Sequence, residues 1–263
     1  MSTSTAPDYR LDGFTAVNEE VAHDFFSVTL DEDSFVPMAA HHTADGRDSY
    51  LLFHDPTYIY DVPGTASFVA LHITRDTEQR TYRFAREKHP LAPLAQHWLI
   101  EQGCPPEGIE LLNPNGPRPA DALTARLEDR LRVNPEGRYE VFDHYTGEPG
   151  GFDTGMETWV IVHDTHPDSA DAPYRLFLEE IAPSLRTYTL REGAFPTAEA
   201  AEDWTWNTDR PLPSAPDPLT ARTEAARSRS PHAPVRLAVP PAPVTPPRPV
   251  VSAGAVPARR GLS

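Results

Sequence analysis

Arg80 to Trp98, RTYRFAREKHPLAPLAQHW, decides the fold, because the chain writes it twice. Arg186 to Trp204 reads RTYTLREGAFPTAEAAEDW. The two align without a gap, 106 residues apart, and agree at Arg80/Arg186, Thr81/Thr187, Tyr82/Tyr188, Pro90/Pro196, Ala92/Ala198, Ala95/Ala201 and Trp98/Trp204. That is seven identities in 19 positions, where average residue usage gives roughly one or two. In each copy the alternation comes first: Tyr82 and Phe84, then Tyr188 and Leu190, share one side of a strand. A helix follows. Leu91, Leu94, Ala95, Trp98 and Leu99 recur at helical spacing, and Pro90 suits the first turn. Gly103 and Pro105-Pro106 stop it. Thr197 is placed to cap the second helix, which ends near Asn207.

Working outward, Phe25, Phe26, Val28 and Leu30 suggest a strand, and residues 31–48 read as a polar loop. Short β-rich runs follow at Tyr50–Phe53, Tyr58–Val62 and Phe68–Ile73, as in an antiparallel meander. Asp121 can cap a helix carrying Leu123, Leu127 and Leu131 on one face. The second copy repeats the pattern with strands at Tyr139–Tyr145 and Thr158–His163, while Tyr174–Ile181 is ambiguous between strand and helix. The expectation is an α+β protein of two related modules, each a small antiparallel sheet with a helix packed on one face. Its boundaries are a disordered start (1–13), a first module (14–103), a Pro-rich linker (104–120), a second module (121–210) and a disordered Pro/Arg-rich tail (211–263).

The tail holds 13 of the 30 prolines, and seven arginines against Asp217 and Glu224, a charge of +5. The whole chain is −16, so residues 1–210 carry −21. Such a body repels phosphate backbones and anionic membranes. The tail is expected to stay unfolded, yet its basic, Pro-rich sequence could dock on an acidic or aromatic-groove partner, the body included. Cys104 is the only cysteine, so no internal disulfide can form. The first residues lack a basic and apolar leader, and no apolar run approaches the ~18 residues of a membrane span. These features predict a soluble cytoplasmic protein.

The loop from Asp143 to Glu157, DHYTGEPGGFDTGME, is the first candidate for chemistry. It sets Asp143, Glu148, Asp153 and Glu157 among four glycines, and paired carboxylates can serve as acid and base or acid and nucleophile in glycoside hydrolysis. The bland alternative is a solvated acidic hairpin. His144, His163 and Asp164 are candidate ligand-binding residues at strand ends, and the matched Arg80 and Arg186 could bind one ligand in each copy. His144, His163 and His166 could converge on a metal if their strands pair, although the spacing is not a metal motif. Trp98 and Trp204 read as core rather than as stacking platforms. There is no GxSxG, Walker loop or strand–GxGxxG–helix, and no cofactor is expected.

YLLFHDPTYIYDVPGTASFVALHIT, RTYRFAREKHPLAPLAQHWLI and YTLREGAFPTAEAAEDW resemble a family of small cytoplasmic proteins from high-GC Gram-positive bacteria, some labelled glycosyl hydrolase. The resemblance covers about residues 50–206 and implies no catalytic motif. Three readings follow. The first is an acidic, non-catalytic binding or accessory protein with a protein or small-molecule partner. The second is a glycosyl hydrolase using the 143–157 carboxylates. The third, nucleic-acid binding, runs against the charge.

Overall fold

The computed structural model describes residues 7–29, 34–57, 64–109, 116–134, 137–147, 155–207 and 210–215. In chain order the elements are β1 (Thr15–Ala16), α1 (Glu19–Thr29), β2 (Val36–His42), β3 (Asp48–His54), β4 (Phe68–Asp76), β5 (Thr81–His89) and α2 (Ala92–Glu101). The second series is β6 (Arg118–Pro119), α3 (Ala122–Val133), β7 (Tyr139–Gly147), β8 (Met156–Asp164), β9 (Tyr174–Ile181), β10 (Thr187–Phe195) and α4 (Ala198–Thr205). They build two five-stranded sheets of the same topology, β1-β5-β4-β3-β2 and β6-β10-β9-β8-β7. The fold is α+β and duplicated, as the sequence match implies.

The duplication extends well beyond the matched stretch. Phe68 pairs with His89 and Tyr174 with Phe195, so the two hairpins share one register 106 residues apart. The edge strands β2 and β7 carry the same bulge, between Pro37 and Ala39 in one and between Val141 and Asp143 in the other. The two-residue strands β1 and β6 run parallel to β5 and β10, pairing Thr15 with Thr81 and Arg118 with Thr187. The first helix of each module is capped alike. Asn18 Oδ1 accepts from Val21 N–H at 2.8 Å, and Asp121 Oδ1 from Thr124 N–H at 2.8 Å. Tyr82 and Tyr188 occupy matching buried positions, at 9 % and 7 % exposure.

Each sheet is covered on both faces. On the first sheet, α1 packs Phe25 and Val28 inward, with Phe25 in the cluster of Leu51, Phe53, Val69, Leu71 and Tyr82. α2 covers the opposite face with Ala95, Leu99 and the half-buried Trp98. On the second sheet, α3 places Leu127 and Leu131 on Val160, Val162, Phe177 and Leu190, and α4 places Ala201 and Trp204 on Ile161, Leu176 and Leu178. Leu91 and Leu94 join the α3 cluster, so α2 also holds the modules together. Their counterparts before and on α4 are Thr197 and Ala200, and the stack ends there. Trp204 is 4 % exposed whereas Trp98 is half-buried. Trp204→Ala is therefore expected to cost ~3–5 kcal/mol in a urea melt, with a clearly smaller loss for Trp98→Ala.

Several local expectations are corrected. Residues 19–29 form a helix, because Val21, Phe25 and Val28 fall at i, i+4, i+7 behind the Asn18 cap. Part of the expected 31–48 loop is strand β2, whose edge position leaves its polar side chains half open. α2 begins at Ala92 after the N-cap Leu91, so Pro93 and not Pro90 occupies the first turn. The 104–120 linker is ordered in part. A 3-10 turn at Pro106–Ile109 buries Ile109 completely, and β6 follows. The tail boundary moves beyond Arg210, since Leu212 packs on the α4 cluster and Ser214 bridges to Gly193. The run Tyr58–Val62, the acids Glu148 and Asp153, and residues 216–263 lie outside the described residues. No helix among the described residues is long and apolar enough to cross a membrane.

Candidate functional site

The hairpin β7–β8 carries most of the residues singled out by sequence, and the alternation of the strands sorts them. Asp143 pairs with Ile161, Tyr145 with Trp159, Gly147 with Glu157 and Glu140 with His163. Ile161 belongs to the α4 cluster. Asp143, Glu157 and His163 therefore share the outer face of the second sheet, the face that carries α4. Gly147 lies four residues from Asp143 along β7, which sets Asp143 and Glu157 ~13 Å apart at about 3.3 Å per residue. The carboxyl groups of glycosidase pairs stand about 5–9.5 Å apart, closer than these two backbone positions. Burial and the neighbouring Glu180 carboxylate raise the pKa of Glu157.

The metal set does not assemble. His144 pairs with Val160, a residue of the α3 cluster, and so faces the inner side of the sheet. His163 faces the outer side, its ring 5.3 Å from that of Tyr174. His166 lies past the strand, where its Nδ1 accepts from Asp168 N–H at 3.2 Å. Two strand positions of opposite parity point to opposite faces, and among the described residues no group of three ligand side chains forms a metal site.

Arg80 and Arg186 are exposed, and their matched feature is the backbone. Arg80 O accepts from Thr15 N–H and Arg186 O from Arg118 N–H, which starts the parallel strand in each module. Asp164 is buried in an ionic network. Arg138 Nε and Nη2 donate to its two oxygens at 2.6 Å each, Arg175 Nε donates at 3.3 Å, and the Ser169 hydroxyl donates as well. The fold itself supplies donors to both Asp164 oxygens.

What the hairpin does offer is an aromatic surface. On the outer face Tyr145 stacks on Trp159 at 6.0 Å, and Phe142, the bulged residue, meets Tyr174 edge-on at 5.8 Å. Phe142 is 52 % and Tyr145 43 % exposed. Trp206, at the C-terminal end of α4, is 88 % exposed. The Tyr145 ring is held by two glycines: a Cβ on Gly64 or on Gly147 would come within 2.8 or 2.6 Å of it. The carboxylates of Glu140, Asp143, Glu157 and Glu180 stand among these rings on the same face. Sequence reasoning marks the acids and passes over the rings, because each aromatic taken alone reads as half-buried strand.

A second feature escapes sequence reasoning. At the core positions where the first module has Phe25, Ile73 and Tyr82, the second has Glu128, Glu179 and Tyr188. The Tyr188 hydroxyl donates to Glu128. Burial, and then the Glu128 charge, push the Glu179 carboxyl up to about 8. Elsewhere, an open depression of about 660 Å³ at the β4–β5 turn is lined by Arg47, Asp48, Arg75, Asp76, Glu78 and Arg83. Arg75 is already spent on the carbonyls of Tyr9, Arg10 and Gly46 and on Ser49.

The chain was compared with protein-family models, with curated proteins and with solved structures, and no match was found in any of the three. Fold and surface thus define the class: a duplicated α+β protein with an exposed, carboxylate-flanked aromatic sheet face among the described residues.

Proposed function

We propose that the chain is a non-catalytic binding or accessory protein that works through the outer face of its second sheet. The observation that carries this reading is the set of exposed rings of Phe142 and Tyr145 on an open strand face. Isolated apolar side chains on a surface need no explanation, but two exposed aromatic pairs, Phe142 with Tyr174 and Tyr145 with Trp159, on one sheet face point to a binding surface. The resemblance to cytoplasmic bacterial proteins supports the same compartment here. The acidic body disfavours nucleic acid as the partner.

The glycosidase reading draws less support, because the backbone positions of Asp143 and Glu157 are set wider apart than such a pair, while Glu148 and Asp153 lie outside the described residues. The full chain, assayed against aryl α- and β-glycosides, is expected to show no turnover above the uncatalysed rate. Turnover that falls at least tenfold in Asp143→Asn or Glu157→Gln would overturn the binding reading.

A further inference from the structure

The first module shows what covers the matching face. Its pair equivalent to Tyr145 and Trp159 is His41 and Tyr50, with ring centroids 6.2 Å apart. The chain's own residues 102–109 lie over that pair. The Tyr50 hydroxyl donates to Gln102 O at 3.3 Å, a Cβ on Gly108 would come within 2.6 Å of the His41 ring, and Ile109 is fully buried beside Tyr50 and Leu52. Gln96 Nε2 ties the segment down by donating to Ile109 O at 2.8 Å. After α4 the described chain takes another course. Leu212 packs beside Gly193 and Ser214 bridges to it, on the far edge of the sheet from β7. Among the described residues Gly64 lies against the Tyr145 ring, its N–H donating to Thr146 O at 3.3 Å, yet Tyr145 stays 43 % exposed, and the described residues after α4 do not cover it as 102–109 cover His41 and Tyr50.

The residues that would receive a covering segment have also changed character. Ala39 of the first module corresponds to Asp143, and Gln96 to Glu202. Where the first module seats an apolar and amide-bonded strip of its own chain, the second presents carboxylates beside open aromatic rings. A guanidinium or ammonium over a Tyr or Trp face is attracted by the ring quadrupole, a neighbouring carboxylate adds a charge-assisted hydrogen bond, and a body of this charge concentrates cations nearby.

Building on the binding reading above, we propose that Asp143, Tyr145 and Trp159, flanked by Phe142 and Glu157, form a docking face for a basic peptide segment of a partner protein. The partner's arginine or lysine head lies over Tyr145 with its charge toward Asp143. Its backbone follows the course that residues 102–109 take on the first module.

The test uses the full chain and a Gly-spaced tetra-arginine peptide, with a tetra-citrulline peptide of the same length as the neutral probe. Binding is followed by tryptophan fluorescence and calorimetry. The arginine peptide is expected to bind at least tenfold more tightly than the citrulline peptide. Tyr145→Ala and Asp143→Asn should each weaken it at least fivefold, while Asp76→Asn, at the remote β4–β5 turn, changes it less than twofold. Equal weakening by Asp76→Asn would show diffuse attraction to an acidic body and overturn the proposal. Binding that Tyr145→Ala leaves intact would overturn it too. So would a failure to bind the arginine peptide at all; without glycoside turnover, that result leaves the broader binding reading in place with a partner of other chemistry. Circular dichroism of each variant, unchanged from the parent, secures that the fold is retained.

Discussion

Replacing Glu179 by isoleucine is expected to stabilise the protein at pH 7 by on the order of 3 kcal/mol, a direction opposite to most core substitutions. Glu179 is 8 % exposed on the central strand β9, and isoleucine is what the first module carries at this position. Burial and the nearby Glu128 charge raise its pKa from an ordinary 4.5 to about 8. The sign follows from proton counts. Below pH ~4.5 the folded and unfolded chains both hold the proton, and the group is neutral to stability. Between 4.5 and about 8 the folded chain keeps a proton that the unfolded chain has released, so stability falls as pH rises. Above about 8 both have lost it and the full penalty remains. Urea melts of the parent at pH 5, 7 and 9 should show this decline, and Glu179→Ile should remove most of it. Equal slopes in parent and variant would show that the carboxyl is ionised and solvated in the folded protein. A buried Glu179 beside the half-buried Glu128, where a sister module keeps Ile73 and Phe25, costs stability, and such a cost concentrates at positions retained for some other reason.

The hairpin–helix unit is legible from sequence because it is the one place where the two copies keep a constant offset. Tyr82 and Tyr188 must fill the same seat, and Trp98 and Trp204 lie on matching helices. Outside it the offset changes. His54-Asp55 of the first module matches His163-Asp164 of the second 109 residues on, β7 follows β2 at 104, and the Asn18 and Asp121 caps are 103 apart. A gapless comparison therefore misses the equivalence of Phe25 and Glu128, and with it the acidic pair of Glu128 and the buried Glu179. Glu179 is hidden for a second reason. β9 is buried on both faces, so Leu176, Phe177 and Leu178 show no period of two, and Glu179-Glu180 reads as a solvated strand end. α1 is misread because Phe26 and Phe25 are adjacent and only one of them is inside. The aromatic face needs the register itself: Tyr145 and Trp159 are 14 residues apart in sequence and become neighbours only through the β7–β8 pairing.

Asp164→Asn is expected to destabilise the second module by ~3–5 kcal/mol, the range for breaking a buried ion pair by removing one partner. The Asp164 side chain is fully buried, and those of Arg138 and Arg175 are 16 % and 3 % exposed. Asparagine keeps the shape but leaves two buried guanidinium groups facing an amide. Burial alone would raise the Asp164 pKa, yet the hydrogen bonds from Arg138 and Ser169 outweigh it and hold the carboxyl below its ordinary value. The stability it supplies is thus fully present above pH ~4 and is lost as pH falls through the lowered value. The first module gives the control. Its Asp55 pairs with Lys88 at 3.3 Å, but the lysine side chain is 44 % exposed, so water can solvate the charge that Asp55→Asn leaves behind. That variant should lose far less, near the ~1 kcal/mol scale of exposed pairs. The sister module also suggests the repair. Arg175 corresponds to Val69, and Asp164→Asn combined with Arg175→Val removes one of the stranded charges together with its partner. If the network acts as argued, the double variant recovers part of the loss in a urea melt. If the two losses simply add, Arg175 is held by contacts other than Asp164, and the network is not the unit that stabilises this end of the sheet.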